Sequence, residues 1–177
     1  MMLLDFLRMP SPVGELLIVC TAQAVHFLDY SDYEARMHSL LRARYGSAYT
    51  LRDADDPLEL RSRLQAYFAG AFQAVDDIKV ETGGTPFQQA VWQALRTIPA
   101  GHTATYGQQA ARIGKPAATR AVGRTNGLNP IAIILPCHRV IGASGALTGY
   151  AGGLQRKAWL LAHEGVRGAG QQQTLAL

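Results

Sequence analysis

The sequence predicts two domains of different class: an α/β unit over residues 1–82, and a mainly α, winged-helix-like unit with a helix-turn-helix over residues 83–167. A flexible tail, 168–177, follows. Three observations carry this reading. A length of 177 residues suits one large or two small domains, and 48% hydrophobic against 17% charged residues supplies a real core. Charge divides at the Glu81-Thr82-Gly83-Gly84-Thr85-Pro86 turn: residues 1–82 hold 8 basic and 12 acidic side chains, net −4, whereas 83–177 hold 9 basic and only Glu164, net +8. Short apolar runs of strand length fill the first half, and short capped helical patterns fill the second.

The elements follow in order. Ser11–Glu15 reads as a turn, Leu16–Cys20 as a buried strand, and Ala24–Leu28 as its hairpin partner. Met37, Leu40, Leu41 and Arg44 lie at helical spacing within Glu34–Tyr45. Leu60, Leu64, Tyr67 and Phe68 do so within Leu58–Phe68, which Gly70 stops. Thr85-Pro86-Phe87-Gln88 is a capping box with proline at the first helical position, opening a helix that runs to Pro99. Thr105-Tyr106-Gly107-Gln108 repeats the cap for a helix reaching Arg112 and closed by Gly114. Lys115-Pro116 starts the next helix, ending at Gly127. Two short helices across a glycine-containing turn form a helix-turn-helix, with Arg120 and Arg124 on one face of the second. Ile131–Leu135 reads as a strand buried on both faces, and Leu154–His163 as the last helix, apolar at Leu154, Ala158, Leu161 and Ala162.

Composition also excludes. No apolar run approaches the roughly 18–20 residues of a membrane span, and Asp5 interrupts any signal-peptide pattern, so the reading is a cytoplasmic protein. Two cysteines are too few for a disulfide framework, and neither lies in a CxxC or Cys/His cluster; no metal site and no cofactor is expected. A basic half beside an acidic one fits a polyanion-binding domain, and equally a well-solvated basic domain. Cys20, inside an apolar strand, reads as a small buried hydrophobe. His26 and His38 receive no role, His102 reads as surface, His163 as a complement to a helix C-terminus, and Trp92 and Trp159 as core.

Cys137 differs. It follows Pro136, precedes His138 and Arg139, and sits where an apolar run meets a glycine-rich loop. A thiol reacts as its thiolate, which neighbouring cations or a base favour, and Glu164 suits the group that orients the histidine. On spacing alone the pair fits a nucleophile and also a buried structural cysteine. A transcription regulator with a redox-sensing thiol and a cysteine hydrolase share these features.

The run Ile134-Leu135-Pro136-Cys137-His138-Arg139-Val140-Ile141-Gly142 resembles the active-site signature of the O6-alkylguanine-DNA alkyltransferases, or methylated-DNA–protein-cysteine methyltransferases. Tyr106-Gly107-Gln108, Arg120-Ala121-Val122-Gly123, Asn129-Pro130, Gly149-Tyr150-Ala151-Gly152-Gly153 and Trp159–Gly165 stand around it in the family's order. The resemblance is dense over residues 83–165 and matches the stand-alone bacterial form. It implies a ribonuclease-H-like first domain and single-turnover repair, in which an O6-alkylated guanine is flipped from duplex DNA and its alkyl group moves irreversibly to Cys137. O4-alkylthymine is a second possible substrate. By the same resemblance His138 is the water-relayed base, Glu164 its orienter, Tyr106 a donor to guanine N3, and Asn129 a brace. Arg120 fills the vacated space in the duplex. Thr119, Ala118, Ala121 and Arg124 meet DNA along a minor-groove helix, and Pro130, Val140, Tyr150 and Ala151 form the substrate pocket. Ala151 departs from relatives that carry serine there. The implied partner is double-stranded DNA bearing O6-alkylguanine, bound by a monomer, with cooperative binding along DNA left open. A lesion sensor of the same fold lacks the acceptor cysteine, which is present here.

Overall fold

Strand β1 (Met2–Met9) occupies the interior of a four-stranded sheet, with β2 (Leu16–Cys20) antiparallel on one side and β4 (Tyr49–Asp53) parallel on the other. Strand β3 (Val25–Tyr30) lies antiparallel outside β2, giving the order β3-β2-β1-β4. The computed structural model describes residues 1–168, so the expected tail falls almost wholly outside the described residues. Every residue of β2 and β3 is buried, so this pair is covered on both faces. Helix α1 (Glu34–Tyr45) supplies Met37 and Leu41 to one core cluster, where they meet Leu4, Leu17, Val19 and Phe27. The parallel β1–β4 pair needs a crossover, and α1 lies in it. Helix α2 spans Leu60–Phe68, two residues shorter than expected at its start, because Glu59 sits at φ +55° and the Asp56 carboxylate caps the amides of Leu60 and Arg61 at 2.7 and 2.6 Å.

Strand β1 was not foreseen, and its chemistry explains why. Asp5 and Arg8 break its apolar alternation, yet Asp5 is buried and accepts from Arg52 Nε at 3.0 Å across the parallel pair. Cys20 is fully buried, and burial pushes its thiol up to about 12, in line with an inert packing role. His26 is buried against Tyr45, 2.6 Å from its hydroxyl, and burial holds its pKa below the usual imidazole value.

The described residues divide into two compact units, Met1–Gly83 with Pro130–Ala132, and Gly84–Asn129 with the described residues from Ile133 on. In the second, both capping boxes form. The Thr85 hydroxyl accepts from Gln88 N at 3.2 Å and the Thr105 hydroxyl from Gln108 N at 3.1 Å, each glutamine returning a bond to the threonine amide. They open α3 (Pro86–Leu95) and α4 (Tyr106–Arg112). Gly114, at φ +72°, turns the chain into a short 3-10 segment, Pro116–Ala118, and then α5 (Thr119–Gly127). A two-stranded parallel pair, β5 (Ala104–Thr105) with β6 (Val140–Ile141), and helix α6 (Leu154–His163) complete this unit. No helix among the described residues is long and apolar enough to cross a membrane.

Two expectations are corrected. Ile131–Leu135 is not a strand: Ile131 makes one isolated bridge to Leu28, and Ala132–Ile134 then turn, with Ile133 at φ +70°. The run is buried throughout, but as a packed turn, which an apolar pattern cannot distinguish from a strand. Trp159 is not core. The buried stripe of α6 is Lys157, Ala158, Leu160 and Leu161, which leaves Leu154 and Trp159 exposed, with Trp159 stacked on His163 at 4.8 Å between ring centroids.

Candidate active site

The turn after α5 is built to present a sulfur. An isoleucine at positive φ is strained, because its branched Cβ crowds the backbone. The surrounding bonds hold it there. Asn129 Nδ2 donates to Leu135 O at 2.8 Å, and Cys137 N donates to the same carbonyl at 2.8 Å across Pro136 (φ −81°, ψ +65°), an inverse γ-turn. Asn129 Nδ2 also approaches Cys137 Sγ at 3.2 Å. A donor aimed at sulfur stabilises negative charge on it, so Asn129 both braces the turn and favours the thiolate. Cys137 opens a 3-10 turn, Cys137–Arg139, instead of ending a strand. Successive side chains in that geometry diverge by about 120°, so Cys137 and His138 point apart.

His138 has no exposed surface. Its Nε2 lies 2.9 Å from Glu164 Oε1, and Arg139 grips the same carboxylate with two bonds, Nε to Oε2 at 2.9 Å and Nη2 to Oε1 at 2.8 Å. The remaining Arg139 arm donates to Ile98 O at 2.6 Å. The bonds from His138 and Arg139 outweigh burial and hold the Glu164 carboxyl well below the usual carboxylate range, so it is ionised and only accepts. His138 therefore donates Nε2–H, a tautomer assigned from this network, and its buried Nδ1 keeps the lone pair with no hydrogen-bond partner among the described residues. Burial pushes the imidazole pKa down, which keeps it neutral near pH 7. A neutral imidazole with one nitrogen anchored and the other carrying a free lone pair has the chemistry to accept a proton.

Tyr106, the first residue of α4, is half-buried and donates its hydroxyl to Thr148 O at 3.0 Å. Burial raises its pKa, so the phenol keeps its proton. On α5, Thr119, Arg120, Ala121 and Arg124 are exposed, while Val122, Thr125 and Asn126 face inward, and Ala118, the residue just before the helix, is half-buried. The helix thus shows water a cationic surface with small side chains. Val140 and Pro130 are buried, Pro130 with the first unit, and Tyr150 and Ala151 are half-buried in the turn before α6.

Residues 86–166 match the DNA binding domain of the 6-O-methylguanine DNA methyltransferases, and residues 8–82 match their ribonuclease-like domain. The methylated-DNA–protein-cysteine methyltransferase of Salmonella typhimurium is 50% identical over 160 residues, covering 89% of this chain and 94% of that protein. The chain belongs to the methylated-DNA–protein-cysteine methyltransferase family. The crystal structure of the Mycobacterium tuberculosis O6-methylguanine methyltransferase superposes with a TM-score of 0.74 at 38% identity, covering 97% of this chain and 99% of that one. A second M. tuberculosis structure, solved in complex with DNA, superposes with a TM-score of 0.74 at 40% identity, covering 90% and 92%. The expected ribonuclease-like and DNA-binding domains are both borne out.

Two residues of this methyltransferase's site escaped the sequence reading. In the sequence Arg139 reads only as a cationic neighbour of Cys137, although its place two residues on is a signal for the carboxylate's partner. Lys157 left no signal, since a lysine in a surface-helix pattern reads as solvated. It is fully buried, and Nζ donates to Val140 O at 2.6 Å and Thr148 O at 2.9 Å, tying both ends of the 141–147 loop to α6. The ammonium lies 6.0 Å from the Tyr106 ring centroid. Burial brings its pKa down to about 8, against an opposing pull from Cys137. A positive charge coupled to the sulfur assists the thiolate only while protonated. The single-turnover transfer rate at saturating duplex is therefore expected to fall above pH 8, and Lys157→Met to be about tenfold slower at pH 7 without that alkaline decline. An unchanged decline in the variant would assign it to another group.

Proposed function

We propose that this methyltransferase repairs duplex DNA in the cytoplasm by moving the alkyl group of O6-alkylguanine to Cys137, once per polypeptide. The observation that carries the assignment is the Cys137 sulfur held at 3.2 Å from Asn129 Nδ2, beside the buried His138–Glu164–Arg139 relay. His138 Nδ1 takes the thiol proton through a water, and Glu164 stabilises the imidazolium that forms. The thiolate attacks the alkyl carbon in line; a carbon–sulfur bond forms as the carbon–O6 bond breaks, and its electron pair stays on the guanine. Tyr106 offers its proton to guanine N3, where that charge spreads, after turning from Thr148 O. Alkyl transfer needs the lesion outside the stack. The small side chains of the half-buried Ala118 and the exposed Ala121 let α5 approach the minor groove closely, Thr119 and Arg124 reach the backbone, and Arg120 occupies the space left by the base. Val140, Tyr150 and Ala151 line the pocket, with the Ala151 amide serving O6.

A thioether has no exchange route back to the thiol, so the reaction is stoichiometric. Titrating excess O6-methylguanine duplex against a fixed amount of protein is expected to plateau at one repaired lesion per chain. Repair continuing past that ratio would mean turnover, as a hydrolase would show.

A further inference from the structure

Helices α4 and α5 meet on two rungs, each one helical turn apart. On the first, a Cβ at Gly123 would lie 3.6 Å from the Tyr106 ring. On the second, Gln109 and Asn126 face each other inside the protein, Gln109 with no exposed surface and Asn126 at 6%. Asn126 Nδ2 donates to Gln109 Oε1 at 2.6 Å, and Gln109 Nε2 donates to Asn126 Oδ1 at 3.3 Å and to Val91 O of α3 at 3.0 Å. The next residue of α3, Trp92, donates Nε1 to Thr125 O beside Asn126 at 2.9 Å. The three helices are keyed by one buried polar network.

Such a pair costs more than an apolar one of the same volume unless both amides are satisfied, and only one alignment of the helices satisfies both. An apolar pair would tolerate sliding; this one does not. What the alignment sets is the spacing between Tyr106, one turn before Gln109, and Arg120, one turn before Gly123. We propose that the Gln109–Asn126 pair is a positioning device for duplex substrate, locking α5 on α4 so that Arg120 and the Tyr106 phenol address the same extruded nucleotide. The proposal rests on the roles given above to those two residues.

The test separates register from packing. In the full chain, Gln109→Met with Asn126→Leu removes both amides together and conserves shape. Transfer from the free base O6-methylguanine, which needs no recognition helix, should stay within about twofold of wild type, while transfer from O6-methylguanine duplex should fall at least about tenfold, since misplacement of the order of an ångström carries that penalty. Parallel loss on both substrates, or no loss on either, would overturn the proposal, leaving the pair a packing element. A wild-type chain that alkylates itself with neither substrate would instead overturn the reading of the site. Should the double variant fail to fold, the side-chain amide protons of Gln109 and Asn126 in the wild type decide the matter: protection from solvent exchange both free and on duplex supports a locked register, and loss of protection on duplex overturns it.

Discussion

Cys137→Ser is expected to fold, to bind lesion duplex, and to transfer nothing, a loss of at least about 10⁴-fold in the single-turnover rate. Serine keeps an acceptor for Asn129 Nδ2, which sits 3.2 Å from the sulfur, so the Leu135–Pro136–Cys137 turn retains its bonds. Its hydroxyl, however, holds its proton far more tightly than a thiol, and the His138 relay cannot generate a useful alkoxide near pH 7. Intact-mass spectrometry after incubation with O6-methylguanine duplex, alongside electrophoretic retention of the same duplex, checks both halves. A methylated serine variant would show that another side chain is the acceptor.

Glu164→Gln carries the largest expected cost to stability. The carboxylate accepts from His138 and twice from Arg139, all three groups being nearly inaccessible to water. Removing its charge leaves a buried guanidinium with Ile98 O as a remaining acceptor, and breaking such a pair costs about 3–5 kcal/mol. For a chain of this size, that lowers the thermal midpoint by about 10 °C. The pH dependence gives an independent check. Since Glu164 is held below the ordinary carboxylate range in the folded state, its contribution is complete above about pH 4, the unfolded value, and is lost as pH falls further. The stability gap between wild type and variant should therefore narrow below pH 4. Transfer should also slow by about 10²–10³-fold, because an unanchored imidazole loses both its tautomer and its orientation. A variant with wild-type stability would show that the triad is not the keystone of this turn.

How much of this could be read beforehand depended on whether the signal was local. Both capping boxes were legible because a threonine and a glutamine three apart satisfy each other's amides within one turn of helix, whatever surrounds them. The exposed cationic face of α5 was legible for the same reason. Strand β1 was not, since Asp5 finds its justification in Arg52, far along the chain. The Ile131–Leu135 run misled because burial on every side gives one pattern for strand and turn alike, and nothing in the residue type announces Ile133 at φ +70°. Among the site residues, Cys137, His138, Glu164 and Asn129 were singled out and converge in the structure. Lys157 was invisible, because its burial depends on two carbonyls from a loop whose path the sequence does not dictate.

The most direct measurement is a peptide map of wild-type protein after reaction with O6-methylguanine duplex, taken beside its intact mass. The account expects one added methyl group per chain, confined to the peptide carrying Cys137, with unmodified guanine recovered in the DNA. Repaired DNA beside unmodified protein, or a methyl group on any other residue, would contradict it.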